Sequence, residues 1–399
     1  MQHAHNNVPR RNLLKALGAL GITTGLPMSP ALAAAGSDKR ILVVVEMSGA
    51  NDGLNTLVPY TEDAYYRLRP RIGLRADNVR KIDDRYGFNP GMLGFERLYK
   101  DGKMAIVHGC GYPQQSLSHF QSMGYWHTGV PNGGERFGWL GRVADAIDPQ
   151  LTPNFLVNID ERQSLAVHSE HHVPVVFDDP ERFARKGLLQ SRPLLDNPTV
   201  TDGPNLSSNY LDKVAASARE ASQLVRAAWG SYKTPVDYGM RSLDLNKVAA
   251  MINAGLPSQL FYVSFRHNAF DTHVHQNAQH GRLLSYASDA IAGFMKDMER
   301  IGRADDVNVL VFSEFGRRVA ENTSLGTDHG TANHMYVIGK PVKGGHYGDA
   351  PSLTNLDEDG NLIFTTDFRR VYASLIEGWL KHDSKVLLGG DFKTFPLYV

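Results

Sequence analysis

The sequence predicts an α/β fold built on a doubly wound, mostly parallel sheet flanked by helices. Three observations point to it. Apolar runs such as Ile41-Leu42-Val43-Val44-Val45 and Val307-Asn308-Val309-Leu310-Val311-Phe312 are nearly unbroken, the pattern of strands covered on both faces. Segments with helical spacing separate those runs, so strand and helix alternate along the chain. The runs also end in turn formers, as in Ser48-Gly49-Ala50-Asn51-Asp52-Gly53 and Gly109-Cys110-Gly111-Tyr112-Pro113.

Taken in order, Arg40 to Glu46 reads as the first strand, Leu93 to Lys100 as a helix and Met104 to His108 as the second strand. A helix is expected to start near Ser116 or Ser118 and to run toward Trp126. Residues 148–208, rich in Pro, Asp and short apolar runs, read as a small insertion or cap beside the sheet. Leu211 to Trp229 and Leu243 to Ala254 have helical spacing, and Leu260 to Phe265 is a strand. Asn277 to Ile301 is a long amphipathic helix, followed by the Val307 to Phe312 strand. A short strand at Met335 to Ile338 and a helix from Phe368 to Leu380 complete the order. Residues 36–399 are expected to form a single domain.

The first 35 residues are set apart from that domain. Arg10-Arg11-Asn12-Leu13-Leu14-Lys15 is a paired-arginine segment leading into an apolar stretch that runs to Leu26 and is softened by Gly18, Gly21 and Gly25. Pro27 and Pro30 end it, and Ala31-Leu32-Ala33 offers the small-residue pattern of a cleavage site. Spanning a bilayer takes about 20 apolar residues, so the stretch reads as a twin-arginine signal peptide over 1–35. Export through the twin-arginine machinery to the periplasm or the exterior is the expectation, with no transmembrane segment after signal removal.

Composition narrows the partners. The chain has 42 basic and 42 acidic residues. Arg10, Arg11 and Lys15 lie in the leader, which has no acid, so the remainder carries three more acids than bases. Such a balance does not suggest nucleic acid or anionic lipid as a partner. The single cysteine, Cys110, rules out an intrachain disulfide and reads as a small buried residue rather than a nucleophile.

In a doubly wound sheet the ligand site lies beyond the carboxyl ends of the strands. The segment after each apolar run is rich in carboxylates and imidazoles. Glu46 and Asp52 follow the first strand; His108, Cys110, Ser116, Ser118 and His119 follow the second. Asp271, His273 and His275 follow the 260–265 run, and Glu314, Arg317 and Arg318 follow the 307–312 run, with Asp328 and His329 in the next loop. Taken alone, each group also fits an exposed turn, a loop pair or a helix cap. Together they have the chemistry of a divalent metal site, anionic oxygen offsetting charge and neutral imidazole suiting zinc or manganese. Two ions a few ångströms apart would clamp the attacking and leaving oxygens of an ester. A hydroxyl at a helix start, Ser116 or Ser118, is placed to attack.

The motifs Asn51-Asp52-Gly53-Leu54-Asn55-Thr56-Leu57-Val58-Pro59, Ser118-His119-Phe120, Asp271-Thr272-His273, Ser313-Glu314-Phe315-Gly316-Arg317 and Gly326-Thr327-Asp328-His329-Gly330 resemble, in this order, the bacterial DUF1501 family. Val342-Lys343-Gly344-Gly345 and Tyr347-Gly348 fit the same resemblance, which spans about residues 40–390. A remoter similarity is to the alkaline phosphatase and sulfatase superfamily, implying an alkaline-phosphatase-like core. That similarity implies one metal site from Asp271, His275 and His329, and an altered one from Glu46 or Asp52 with Glu314, where Phe315 stands at a histidine's place. His273 or Asp328 would supply a missing ligand. Cys110-Gly111-Tyr112-Pro113 does not match the sulfatase Cys-x-Pro-x-Arg pattern, so a formylglycine enzyme is not expected.

The expectation is therefore an exported, metal-dependent hydrolase of phosphate or sulfate esters, acting on a small-molecule or glycan ester. Ser118 or Ser116 would attack, one or two divalent ions (zinc, manganese, calcium or magnesium) would activate, and Arg317 would steady the oxyanion. The alternative is a non-catalytic periplasmic binding or assembly protein that keeps the fold with a degraded metal site.

Overall fold

The apolar runs form strands of one sheet. In this computed structural model residues 40–183 and 221–398 are described; the leader expected over 1–35 lies outside them. The order across the sheet is Gly345–Tyr347, Met104–Gly111, Asn333–Ile338, Val307–Phe312, Ile41–Glu46, Leu260–Ser264, Leu156–Ile159 and Val175–Phe177, with Thr366–Asp367 pairing the end of Met104–Gly111. Ile41–Glu46 runs parallel to both neighbours, Val43 standing opposite Phe261 on one side and Val309 on the other. Asn333–Ile338 is antiparallel to both of its neighbours. Every other pairing in the sheet is parallel among the described residues. The carboxyl ends of the 41–46, 104–111, 260–264 and 307–312 strands therefore share one edge, where the reversed strand begins.

Both faces are buried, which explains the unbroken apolar runs. Successive strand residues point to opposite faces. Val43, Val45, Val309 and Val311 enter the core under the Gln276–Arg300 and Leu93–Lys100 helices, with Phe95, Leu284 and Phe294. Leu42, Val44, Leu310 and Phe312 enter the other, with Trp126, Trp139 and Val371. Trp126 is stacked between Phe312 and Phe368, at ring separations of 5.4 and 4.1 Å. That stack holds the His119–Thr128 helix on the sheet, and Gly129, at φ +67°, ends the helix.

Two segments differ from expectation. The described part of the stretch expected as a cap, residues 148–183, supplies Leu156–Ile159 and Val175–Phe177, which extend the sheet in parallel, Val175–Phe177 at its edge. Neighbouring apolar strands explain its short apolar runs; residues 184–208 lie outside the description, as does the start of the expected Leu211–Trp229 helix, of which residues 221–231 are helical. The expected Phe368–Leu380 helix is α-helical over Arg369–Ala373 and widens into a π-helical turn over Ser374–Trp379. Among the described residues no helix is long and apolar enough to cross a membrane.

Candidate metal centre

Three loops at the shared edge converge on Asp271. The first, after Ile41–Glu46, turns at Gly49 with φ +111°, where a Cβ would stand 2.6 Å from both the Asn268 carbonyl oxygen and the Asp271 nitrogen. Only glycine allows that approach. The second, after Val307–Phe312, carries Glu314 and Arg317, both buried. Arg317 ties the loops together: its guanidinium donates to the carbonyls of Gly49 (2.7 Å), Ala50 (2.6 Å) and Thr327 (3.0 Å) and to Asp271 Oδ1 (2.6 Å). The third contributes His329, and the helix that starts after Ser118 contributes His119.

Asp271 Oδ1 is ringed by nitrogen. His273 Nε2 lies 2.9 Å away, His329 Nε2 3.2 Å and His119 Nε2 3.5 Å. His273 Nε2 and His329 Nε2 are 3.0 Å apart. His119, Asp271 and His329 each offer a ligand atom, all within 4.8 Å of one another. Tetrahedral coordination with bonds of ~2.1 Å puts ligand atoms about 3.4 Å apart, and the 3.2 and 3.5 Å separations match.

The tautomers decide what these nitrogens present. His329 Nδ1 faces the Leu117 carbonyl oxygen at 2.9 Å, which can only accept, so Nδ1 carries the proton. His119 Nδ1 faces Glu314 Oε1 at 2.7 Å and carries its proton likewise. In the neutral rings both Nε2 atoms are then lone pairs aimed at a carboxylate. His119 Nε2 is buried without a hydrogen-bond partner among the described residues. Arg317 already offsets the Asp271 charge, and a divalent cation would also engage the two imidazole lone pairs. A carboxylate or carbonyl orienting a ligand histidine through its other nitrogen is the usual outer support of a metal site.

The charges favour the ligand state at Asp271 and His329, while His119 is pulled toward its protonated form, which a bound cation would have to displace. Burial works against a charged His119, but the Glu314 hydrogen bond and the Glu314 and Asp271 charges outweigh it and raise its pKa. Burial would raise Asp271, yet Arg317 and the neighbouring imidazoles keep it below the ordinary carboxylate range. His329 is lowered by burial and by Arg317. An ionised carboxylate beside a neutral imidazole is the ligand state a transition metal needs.

Residues 38–362 match the model of the family described as "Protein of unknown function (DUF1501)". The chain belongs to the DUF1501 family. No curated protein matches it. Among solved structures, this DUF1501 chain is similar to a protein in the alkaline phosphatase superfamily from Vibrio parahaemolyticus, at 12% identity and a TM-score of 0.38 over 82% of this chain and 68% of that one. It is also similar to the C-terminal periplasmic domain of EcEptC from Escherichia coli in complex with zinc, at 11% identity and a TM-score of 0.36 over 76% and 74%. A third is the phosphonate monoester hydrolase SpPMH from Silicibacter pomeroyi, at 9% identity and a TM-score of 0.35 over 90% and 78%.

The other residues singled out by sequence fall into three groups. His273 and Glu314 join the cluster, and Asp328 flanks it, its Oδ1 3.4 Å from His273 Nδ1. Glu46, Asp52 and His275 are not brought into it. Asp52 is fully buried, pairs with Arg69 at 2.7 Å, accepts from Gln276 and caps the Gly53–Thr56 turn, its pKa lowered because Arg69 outweighs burial. Glu46 is buried against His127 at 3.3 Å and the Tyr262 hydroxyl at 2.5 Å. His275 is exposed; the helix begins only at Gln276, so the Asp-x-x-x-His spacing spans a loop and does not align the two side chains. Among the hydroxyls, Ser116 Oγ donates to Gln121 at 2.8 Å. Ser118 is exposed and its Oγ makes no capping bond. Arg317, expected to steady an oxyanion, is committed to carbonyls and Asp271 instead. Burial raises the Cys110 thiol pKa, in keeping with an inert residue.

Sequence reading placed His119 among the strand-end residues without a metal role. Its signal was position: an imidazole at the first turn of the helix after the second strand, in Ser118-His119-Phe120.

Proposed function

We propose that this protein is an exported metal-dependent hydrolase of phosphate or sulfate esters, holding one divalent ion between His119, Asp271 and His329, with His273 as a further ligand. The carrying observation is the pair of imidazole lone pairs, on His119 Nε2 and His329 Nε2, aimed at the Asp271 carboxylate with their protons held on the far nitrogens. Nitrogen-rich ligands with one carboxylate favour zinc or manganese over calcium or magnesium. One ion rather than two is proposed because the other acids already have partners, Asp52 in Arg69 and Glu46 in His127 and Tyr262. Arg317 supplies the second positive charge at Asp271.

A bound divalent ion supplies Lewis-acid polarisation of an ester oxygen. The chain's own groups do the rest. Glu314 and the Leu117 carbonyl hold the imidazole protons away from the centre. Arg317 keeps Asp271 ionised and fixes three loops around it. Ser118, next to His119 and exposed, is the hydroxyl proposed to attack phosphorus or sulfur, expelling the alcohol of a small-molecule or glycan ester; water then releases the acid from serine. Arg318, whose Nε is buried without a hydrogen-bond partner among the described residues, is the guanidinium left to meet the substrate's anionic oxygens. The paired arginines Arg10-Arg11 and the leader behind them support delivery to the periplasm or exterior through the twin-arginine route.

A second reading is favoured by one observation. Phe315 packs its ring 4.9 Å from His119 and 5.0 Å from His329, setting an apolar ring against both imidazoles. On that reading the chain binds metal and a partner without turnover. A screen of phosphate and sulfate esters with the metal-loaded protein separates the two. Turnover lost in both Asp271→Ala and Ser118→Ala supports the hydrolase; turnover that survives Asp271→Ala refutes it, and metal binding without turnover leaves the binding protein.

A further inference from the structure

Apart from the metal centre, a second set of polar side chains meets near the carboxyl ends of the strands. Glu46 ends the first strand, and Tyr262 on the neighbouring strand stands two register positions before it, so both side chains lie on one face. That face is otherwise apolar, with Leu42, Val44, Trp126 and Leu310. His127 comes from the His119–Thr128 helix, and Ser164 from the turn after the Leu156–Ile159 strand. Glu46, His127 and Tyr262 are buried; Ser164 is partly exposed and follows the exposed Glu161, Arg162 and Gln163. Burying a carboxylate carries a large desolvation penalty, and packing against apolar neighbours does not call for one.

Donors and acceptors fix the protons. Burial would raise Glu46, but the His127 charge and the hydrogen bonds from His127 and Tyr262 hold its pKa below the ordinary value, so it is ionised and can only accept. The Tyr262 hydroxyl gives its one proton to Glu46 Oε2 at 2.5 Å. Its oxygen lies 2.8 Å from His127 Nε2 and must accept there, so Nε2 carries a proton, which also faces both Glu46 oxygens at 3.3 Å. In the neutral ring Nδ1 is then a lone pair, and it faces Ser164 Oγ at 3.5 Å. Ser164 Oγ accepts from Ala166 N at 3.2 Å, which leaves its own proton to donate.

Hydroxyl, imidazole and carboxylate in this order are a nucleophile, its base and the group that orients the base. Nucleophile-to-base contacts are often long until substrate arrives. Among the described residues no lysine or arginine side chain bonds to any of the four. An anionic phosphate or sulfate ester would therefore meet the Glu46 charge unopposed, whereas the carbonyl of an uncharged ester would not.

We propose that Ser164 is a metal-independent nucleophile, with His127 as its base and Tyr262 and Glu46 orienting that base, and that it takes the acyl group of small uncharged carboxylic esters. Ser164 Oγ attacks the carbonyl carbon as its proton passes to His127 Nδ1. The ester C–O bond breaks, and the departing alcohol takes that proton. Water, giving a proton to His127 in the same way, adds to the acyl-serine, and the proton returns to Ser164 Oγ as the carboxylic acid leaves.

An alkyl fluorophosphonate, whose phosphorus bonds to a serine oxygen as fluoride leaves, tests the hydroxyl directly. The full-length protein is treated in excess chelator, which keeps the metal centre out of the result. Peptide mass spectrometry should place one adduct on Ser164, lost in Ser164→Ala, and turnover of p-nitrophenyl acetate should be lost with it. His127→Gln should slow labelling about 100-fold or more, the worth of a general base. No adduct, an adduct at Ser118 in place of Ser164, ester turnover that survives Ser164→Ala, or an unchanged labelling rate in His127→Gln would each overturn the proposal. Should His127→Gln not fold, the position of the wild-type adduct and the Ser164→Ala turnover decide alone.

Discussion

Replacing Glu314 by Gln removes one charge and almost nothing else. Glu314 is fully buried; Oε1 accepts from Gly49 N at 2.9 Å and from His119 Nδ1 at 2.7 Å, and Oε2 lies 3.0 Å from Ser313 Oγ. A glutamine oxygen can keep the first two bonds. Its amide can donate to Ser313 Oγ, because that hydroxyl can direct its own proton to the Met47 carbonyl at 2.7 Å. Packing and hydrogen bonding survive, so the change isolates the carboxylate's effect on His119. Loss of an outer partner of this kind weakens metal binding about 10–100-fold, which corresponds to about 1.4–2.7 kcal/mol. Competition of zinc between the protein and a chromophoric chelator measures it directly. A Glu314→Gln affinity within about twofold of the wild type would refute the claim that Glu314 supports a ligand through His119.

Three further outcomes are expected. Arg69→Met leaves Asp52 charged and unpaired in the interior, which should cost about 3–5 kcal/mol in denaturant unfolding while zinc affinity changes little; a drop in affinity matching Asp271→Ala would place Asp52 at the metal after all. Trp126→Ala removes the ring between Phe312 and Phe368 and should cost about 3–5 kcal/mol, with weaker metal binding as the helix bearing His119 loosens; an effect below about 1 kcal/mol would show that the stack does not anchor that helix. Asp145 supplies a pH dependence: burial would raise it, but hydrogen bonds from His172 and Ser169 and from the Glu170 and His172 N–H groups hold it at about 2 against 3.8. A depressed carboxyl stabilises the fold above its unfolded pKa and loses that contribution as pH falls toward its folded value. Urea unfolding of wild type and Asp145→Asn should therefore differ at neutral pH and converge between about pH 4 and 2; a gap independent of pH would refute the assignment.

Much of the fold was legible because doubly buried strands write themselves as continuous apolar runs. Ile41–Glu46, Leu260–Ser264 and Val307–Phe312 fall within a residue or so of expectation. Residues 148–183 were harder: strands of four and three residues are too short to carry a period, and Leu156–Ile159 joins the sheet through Leu260–Ser264, far along the chain. At the centre, Asp271, His273, Glu314 and His329 were legible from position at strand ends. Sequence could not show that Arg69 and Tyr262, distant in the chain, neutralise Asp52 and engage Glu46. Nor could it give the role of Arg317, which depends on four carbonyls in three other loops, or the tautomer of His119, which depends on Glu314, 195 residues away.

The central claim is a cation held by imidazole lone pairs at Asp271. Crystals grown with one equivalent of zinc or manganese, with anomalous data at the metal edge, test it most directly. The account predicts one strong peak bonded to His119 Nε2, His329 Nε2 and an Asp271 oxygen, lost in Asp271→Ala. No peak there, or an ion bound by Asp52 or Glu46 in its place, would contradict it.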